Sequence, residues 1–201
     1  VNGSGQQGVR TTTSGTGTVL LTDTTIDGET ANGGRSTTGI LMEGSAPVTL
    51  SRTRLSTAAT GVNATGNGQF TMTGGQITDI TSDGIVLQPT APTTALDGSA
   101  TLTSVTMGSI GGDGIFTTGS AGQGGNIEFL SSSMSTIGGV GIRGVDIGTP
   151  GAGASILVRQ SSIANTGTAG IEVTDSNLRV ERSTLTNNSD FGINSIDAST
   201  V

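Results

Sequence analysis

The chain of 201 residues contains no cysteine, histidine, lysine, tryptophan or tyrosine, and aromatic residues make up only 2% of it. Without cysteine and histidine, a disulfide scaffold and the usual zinc or haem ligand sets are excluded. Histidine is also the residue that most often moves protons in enzymes, and lysine is another that does so, so catalysis is poorly supported. We predict no cofactor, no metal site and no catalytic residue.

Charge is scarce as well. Charged residues make up 11% of the chain, the net charge is −7, and all eight basic residues are arginine. They form no basic stripe, and four phenylalanines offer few surfaces for base stacking, so we predict no nucleic-acid partner. No apolar run approaches the length needed to cross a bilayer, so we predict no membrane span in this chain.

What the sequence does contain is a degenerate repeat. A Gly-Ile or Gly-Val pair recurs seven times, at intervals of 22 to 30 residues. The pairs begin at Gly39, Gly61, Gly84, Gly114, Gly141, Gly170 and Gly192. A basic period near 22 residues, stretched by insertions, is typical of a solenoid in which each repeat forms one coil.

Each repeat also carries an apolar pair at a spacing of two residues. The pairs are Val19/Leu21, Val48/Leu50, Phe70/Met72, Ala100/Leu102, Ile127/Phe129, Ile156/Val158 and Leu178/Val180. A spacing of two indicates short strands, because side chains alternate between the two faces of a strand. Gly, Ser, Thr, Asn and Asp interrupt every run before a helix could form. We therefore predict an all-β chain whose apolar residues stack inside a parallel β-helix of about seven coils, each with three short strands.

Phrases such as SILVRQSSIANTGTAGIEVTDS and NLRVERSTLTNNSDFGINSI resemble the right-handed parallel β-helix superfamily, which has the pectate-lyase-like fold. The resemblance covers residues 19 to 196, and in style it is nearest to pertactin-type autotransporter passengers and other secreted β-helix proteins. It implies a secreted or cell-surface location. It says little about activity, because this fold carries many functions.

The repeat pattern divides the chain into two segments. Residues 1–18 show no clear apolar pairing and are expected to form a linker or a frayed N-terminal coil, while residues 19–201 form the β-helix domain. No capping helix is visible at either end. Since a bare terminal coil exposes unpaired backbone groups, we expect either a segment of a longer solenoid or axial self-association through uncapped ends.

The outward positions of the first strand in each coil supply the candidate binding site. Its residues are Thr71, Thr73, Thr101, Thr103, Glu128 and Arg159. Threonine pairs on a flat face could contact a glycan, although threonine is also a good strand former that bonds to its stacked neighbour. Three long connections, at 88–99, 117–126 and 144–155, are expected to form a wall beside this face. In the pectate-lyase-like enzymes that the chain resembles, loops at this corner border the substrate cleft.

Other polar residues have structural alternatives. Asp83 and Asp113 each precede a Gly-Ile pair, and they could either hold calcium or bond their own backbone before a glycine with positive φ. Arg159 and Glu181 are expected to form a surface ion pair. A polar column, expected to bond side chain to side chain, comprises Thr57, Asp79, Ser109, Thr136, Asn165 and Asn187. The column Leu41, Val86 and Phe116 is expected to be exposed unless a loop or a partner covers it.

These observations favour a non-catalytic, extracellular or cell-surface segment of structural or adhesin type, which presents loops and a threonine-rich face to a glycan or a host-cell protein. One alternative is a carbohydrate-active domain, a polysaccharide lyase, hydrolase or glycan-binding module that uses Glu128 and Arg159. The only base available to a lyase on that face is Arg159, and a hydrolase would lack a second carboxylate beside Glu128. Another alternative is the subunit of an end-to-end extracellular filament.

Overall fold

The structure, a computed structural model, describes residues 7–12, 17–28, 34–90, 97–119, 124–147, 156–197 and 201. Within those ranges the chain forms β-strands and no helix. The described part of the chain accordingly contains no helix long and apolar enough to cross a membrane. The all-β prediction is confirmed.

The strands fall into three sets that alternate along the chain. The first strands are β2 (Val19–Thr22), the start of β5 (Val48–Ala64), the start of β6 (Phe70–Ile80), β8 (Ala100–Thr103), β11 (Ile127–Leu130), β14 (Ile156–Arg159) and β17 (Leu178–Glu181). The second strands are β3 (Thr25–Asp27), the middle of β5, the end of β6, β9 (Thr106–Ile110), β12 (Ser133–Ile137), β15 (Ser162–Thr166) and β18 (Thr184–Thr186). The third strands are β1 (Gln7–Thr11), β4 (Ser36–Met42), the end of β5, β7 (Ile85–Leu87), β10 (Ile115–Thr118), β13 (Ile142–Val145), β16 (Ile171–Thr174) and β19 (Ile193–Ile196).

Each strand pairs in parallel with the equivalent strand of the neighbouring repeat. In the first set, Phe129 of β11 lies between Leu102 of β8 and Val158 of β14. In the third set, Ile115 lies between Ile85 and Ile142. The insertions between repeats do not shift this register, so equivalent residues stack on one another. The result is a parallel, β-solenoid-like fold.

The core is the inside of this stack. The apolar pairs of the first strands provide one row of it, and Leu50, Met72, Leu102, Phe129 and Val158 have no exposed surface. The Gly-Ile and Gly-Val residues provide another row, with Ile40, Val62, Ile85, Ile115, Ile142 and Ile171 fully buried. Val180 and Ile193, in the last described repeat, are half-buried and pack against the same core. The predicted interior positions are therefore confirmed, with the last repeat less covered than the others.

The glycines of the Gly-Ile pairs are required by contact between repeats, and not by their own φ. A Cβ on Gly39 would lie 2.7 Å from the carbonyl oxygen of Gly61, and a Cβ on Gly84 would lie 2.5 Å from that of Gly114. Neither Gly84 nor Gly114 has a positive φ, so the prediction of an Asp-Gly turn with positive φ was wrong. From Gly39 to Gly170 the glycines form a column in which each admits the backbone of the next repeat.

Columns of residues with left-handed backbone follow all three strand sets, and most of these residues are not glycine. The column after the third strands comprises Asp146, Asp175 and Asp197, and two longer columns complete the pattern. One column follows the first strands and comprises Asp23, Arg52, Gly74, Ser104, Ser131, Gln160 and Arg182. The other lies in or after the second strands and is the predicted polar column, Thr57, Asp79, Ser109, Thr136, Asn165 and Asn187, with φ between 54° and 59°. In that column the Thr57 hydroxyl donates to Asp79 at 3.4 Å. What all six residues share is this backbone bend, which turns the chain at every repeat.

Candidate functional site

The predicted face is assembled by the first strands. Thr71 lies beside Thr101, and Thr73 lies beside Thr103, in adjacent repeats. Thr49 and Ser51 occupy the same two columns one repeat earlier. Together these six residues place hydroxyls at two positions on each of three successive strands. Neighbours lie about 4.8 Å apart between strands and about 6.6 Å apart along a strand.

Glu128 and Arg159 lie at the end of this hydroxyl face but not side by side. Glu128 is next to Thr101 in one column, and the Thr101 hydroxyl lies 3.4 Å from its carboxylate. Arg159 continues the other column, beyond Leu130. Leu157 is the direct neighbour of Glu128. The structure therefore brings Glu128 to the hydroxyl face and leaves Arg159 diagonal to it.

The expected ion pair between Arg159 and Glu181 is replaced by another. The two residues are in register on β14 and β17. The Glu181 carboxylate nevertheless pairs with Arg179, two residues earlier on its own strand and on the same face. Arg179 lies on the same strand and the same face as Glu181, and its exposed side chain reaches the Glu181 carboxylate.

The expected wall of long connections lies partly outside the described residues. Residues 91–96, 120–123 and 148–155, which make up about half of the three connections, lie outside the described residues. The described residues show a partly exposed hydroxyl face with a single carboxylate, that of Glu128, beside it. Such a face can form hydrogen bonds to a polyhydroxylated ligand, because every hydroxyl both donates and accepts.

A second polar network lies on the outward face of the third strands. Arg143 bridges two carboxylates, with Nη1 at 3.2 Å from Asp113 Oδ2 and Nε at 3.1 Å from Glu172 Oε1. Asn194 donates to Glu172 at 3.0 Å. Burial raises the pKa of Asp113, the Val140 amide and Arg143 lower it, and the charges of Asp83 and Glu172 raise it. These ion pairs and hydrogen bonds join side chains of adjacent repeats.

Asp83 and Asp113 have a different role from the two that were expected. The Asp83 carboxylate accepts a hydrogen bond of 2.7 Å from the Asp113 amide, and the Asp113 carboxylate accepts one of 2.8 Å from the Val140 amide. Each aspartate thus bonds the backbone of the following repeat, and not its own. No cluster of three or more metal-binding side chains occurs among the described residues. The two aspartates act as links between repeats.

Apolar side chains on the outward face of the third strands are partly buried. Leu41, Val86 and Phe116 are stacked in one column, with Asn63 between Leu41 and Val86. All three apolar side chains are half-buried. The prediction was that this column is exposed unless a loop or a partner covers it, and the three side chains keep part of their surface exposed.

A buried serine ladder was missed from the sequence. The Ser161 hydroxyl accepts a hydrogen bond of 3.1 Å from the Ser132 amide and lies 2.8 Å from the carbonyl oxygen of Arg159, to which it donates. In the same way, the Ser132 hydroxyl accepts a hydrogen bond of 3.0 Å from the Val105 amide, and the Ser183 hydroxyl accepts one of 3.1 Å from the Ser161 amide. The signal in the sequence is a serine three residues after the last apolar residue of the pairs that end at Phe129, Val158 and Val180. This ladder satisfies the amides at the corner between first and second strands.

Comparison of the chain with protein-family models, with curated proteins and with solved structures gave no match.

Proposed function

We propose that the protein is a non-catalytic segment of an extracellular or cell-surface β-helix that works as a rigid spacer and presents a hydroxyl-rich face for adhesion. In this proposal the solenoid is a right-handed coil of about seven turns related to the pectate-lyase-like superfamily. The observation that carries it is the hydroxyl face itself, three successive strands with two hydroxyls each on a fully stacked core.

Rigidity supports the role of a spacer. Parallel pairing runs through all three strand sets, and side chains add bonds between repeats, such as the two contacts of 2.6 Å between Arg52 and Asp23. A chain whose backbone, core and surface are all linked to the next repeat resists bending between repeats. The hydroxyls of the first strands are therefore held at fixed spacings, which favours a repetitive ligand such as a glycan.

Adhesion to glycan-coated surfaces tests the proposal. Beads carrying the protein are expected to bind a surface coated with host-cell glycans, and the double variant Thr73→Arg, Thr103→Arg is expected to lose that binding without a change in melting temperature. The matched control is Thr186→Arg, an exposed threonine on a second strand. Equal binding by the double variant and the wild type would contradict the role of the hydroxyl face.

The proposal also implies that the protein does not cleave polysaccharides. Incubation with a panel of neutral and acidic polysaccharides is expected to release no reducing ends and no unsaturated uronate absorbance. The variant Glu128→Gln tests the carboxylate that lies beside the hydroxyl face. Product release that disappears in this variant would favour the carbohydrate-active alternative.

Exposed apolar residues in the last described repeat favour end-to-end association as a second role. Phe191 is 55% exposed and Ile196 is 37% exposed. A further coil, contributed by another copy, would cover these side chains and pair with β19. Sedimentation velocity at rising protein concentration is expected to show larger species that Phe191→Ser reduces. A single species at all concentrations would rule out this second role.

A further inference from the structure

A groove runs along the corner between the first and second strands in the C-terminal half. It has a volume of about 420 Å³ and is bounded by two exposed columns with a buried floor between them. One column is Ser104, Ser131, Gln160 and Arg182, and the other is Thr106, Ser133, Ser162 and Thr184. The floor contains Val105, Ser132 and Ser161. The groove spans four repeats, about 14 Å at the usual strand spacing.

The groove is a particular feature of these repeats, because the same corner is filled in the earlier ones. There, Arg52 stands in the first column and holds Asp23 through two contacts of 2.6 Å. In the second column, Arg54 and Gln76 occupy the positions that Thr106 and Ser133 take later. Short side chains in the later repeats open the groove, and the floor is already satisfied by the serine ladder.

The lining defines the chemistry of an occupant. Of the described residues that line the groove, Arg182 alone is charged, and it lies at one end. The remaining exposed positions are hydroxyls and one amide, which both donate and accept hydrogen bonds. The lining contains no aromatic or large apolar side chain except the buried Val105, so an apolar peptide would find no pocket. Nucleic acid is disfavoured by the net charge of −7.

We propose that this groove binds a linear oligosaccharide along the solenoid axis, with an acidic group of the sugar chain at Arg182. The sugar hydroxyls exchange hydrogen bonds with the two columns, repeat by repeat. The guanidinium of Arg182 presents a fork of donors suited to a carboxylate or a sulfate. This site is separate from the hydroxyl face of the first strands and does not depend on the adhesive role proposed for it.

The test is a titration of the isotopically labelled protein, followed by amide chemical shifts. The probes are a cello-oligosaccharide, an oligogalacturonide and a sulfated oligosaccharide of equal length. The two acidic probes are expected to shift the amides of 104–106, 131–133, 160–162 and 182, and the neutral probe to shift the first three segments more weakly. The two acidic probes distinguish a carboxylate from a sulfate. Absence of shifts with all three probes, or shifts confined to other faces, would overturn the proposal.

Variants that close the groove use side chains already accepted at this corner. The double variant Ser133→Gln, Ser162→Gln places the side chain of Gln76 at two positions of the second column without adding charge, and it is expected to weaken binding at least tenfold. Arg182→Gln is expected to abolish the preference for acidic probes and to retain binding of the neutral probe. This variant tests the site even if the double variant does not fold. Thr81→Arg, at an exposed position outside both the groove and the hydroxyl face, is the control and should leave binding unchanged. Unchanged binding in the folded double variant would contradict the site.

Discussion

The backbone amide of Val140 donates a hydrogen bond of 2.8 Å to the carboxylate of Asp113, which lies one repeat earlier. The carboxylate is largely buried, with 11% of the side chain exposed, and Arg143 lies against it. Burial raises its pKa despite these two partners. The link between repeats therefore contains a group whose protonation is coupled to folding.

The first prediction concerns pH. Because the folded protein holds the Asp113 proton more tightly than the unfolded chain, the contribution to stability is complete below the unfolded pKa of about 3.9 and is lost as pH rises through the raised folded pKa. Asp113→Asn removes this titration and keeps an oxygen that can accept from Val140. We expect the variant to be at least as stable as the wild type at pH 7, measured by thermal melts from pH 3 to 7.

Asp79 provides a control, because its pKa is shifted in the opposite direction to that of Asp113. The hydrogen bond from Arg35 lowers the pKa of Asp79. Its contribution to stability is therefore present above about pH 3.9 and lost as pH falls through the lowered folded pKa. Asp79→Asn should reduce stability at pH 7 more than at pH 3. If both variants changed the pH dependence in the same direction, the burial of Asp113 would not be its dominant influence.

The second prediction concerns the core. Val158 has no exposed surface and lies between Phe129 and Val180 in the stack. Val158→Asp places a carboxylate among apolar side chains, which costs several kcal/mol, of the order of 3 to 5. We expect loss of the cooperative melt in circular dichroism. The adjacent outward change Leu157→Asp should fold, and a cooperative melt of Val158→Asp near the wild-type temperature would show that the stacking order is incorrect.

The third prediction concerns the glycine column. Alanine at position 84 would bring a Cβ to 2.5 Å from the Gly114 carbonyl oxygen and to 2.8 Å from Met107 and Ile110 side-chain carbons. Gly84→Ala is expected to reduce the free energy of unfolding by about 1 to 3 kcal/mol, because the backbone of the next repeat has to move. The control is Gly17→Ala, since no atom lies within 4 Å of the added Cβ there. Urea denaturation of both variants measures the difference, and equal stabilities would contradict the contact.

The fourth prediction concerns the buried serine ladder. Ser161→Ala removes the oxygen that accepts the Ser132 amide at 3.1 Å. The amide is left buried without that partner, at a cost of about 1 to 3 kcal/mol. The exposed neighbour Ser162→Ala should change stability by less than about 0.5 kcal/mol. Denaturant titrations of the two variants give this comparison, and a loss confined to Ser162→Ala would contradict the ladder.

Much of the fold was predictable because the pattern is local and repeated. Residues such as Leu102 and Phe129 recur at the same place in each repeat, and the insertions fall between strands, so counting residues was enough to predict the register. The stacking of Thr71 on Thr101 followed from the same counting.

The role of Gly84 was predicted incorrectly because its restriction comes from Gly114, thirty residues later, and leaves no trace in the local sequence. Asp113 was misassigned for the same reason, since its bonding partner Val140 belongs to the next repeat. The groove depends on side-chain length at equivalent positions, Gln76 against Thr106. That contrast becomes visible only once the repeats are aligned in three dimensions.

The glycine column also determines which changes of chain length the protein can accept. Loss or duplication of a whole repeat would bring one glycine opposite another and preserve the carbonyl contact, for example by joining Gly61 to Gly114 in place of Gly84. Lengthening the connection after a third strand leaves that contact untouched, in keeping with intervals that range from 22 to 30 residues. A deletion of one residue between a second strand and its glycine would instead put a Cβ against the neighbouring backbone. Tandem duplication is thus a tolerated route by which such a rod can lengthen, whereas small deletions at that point are not.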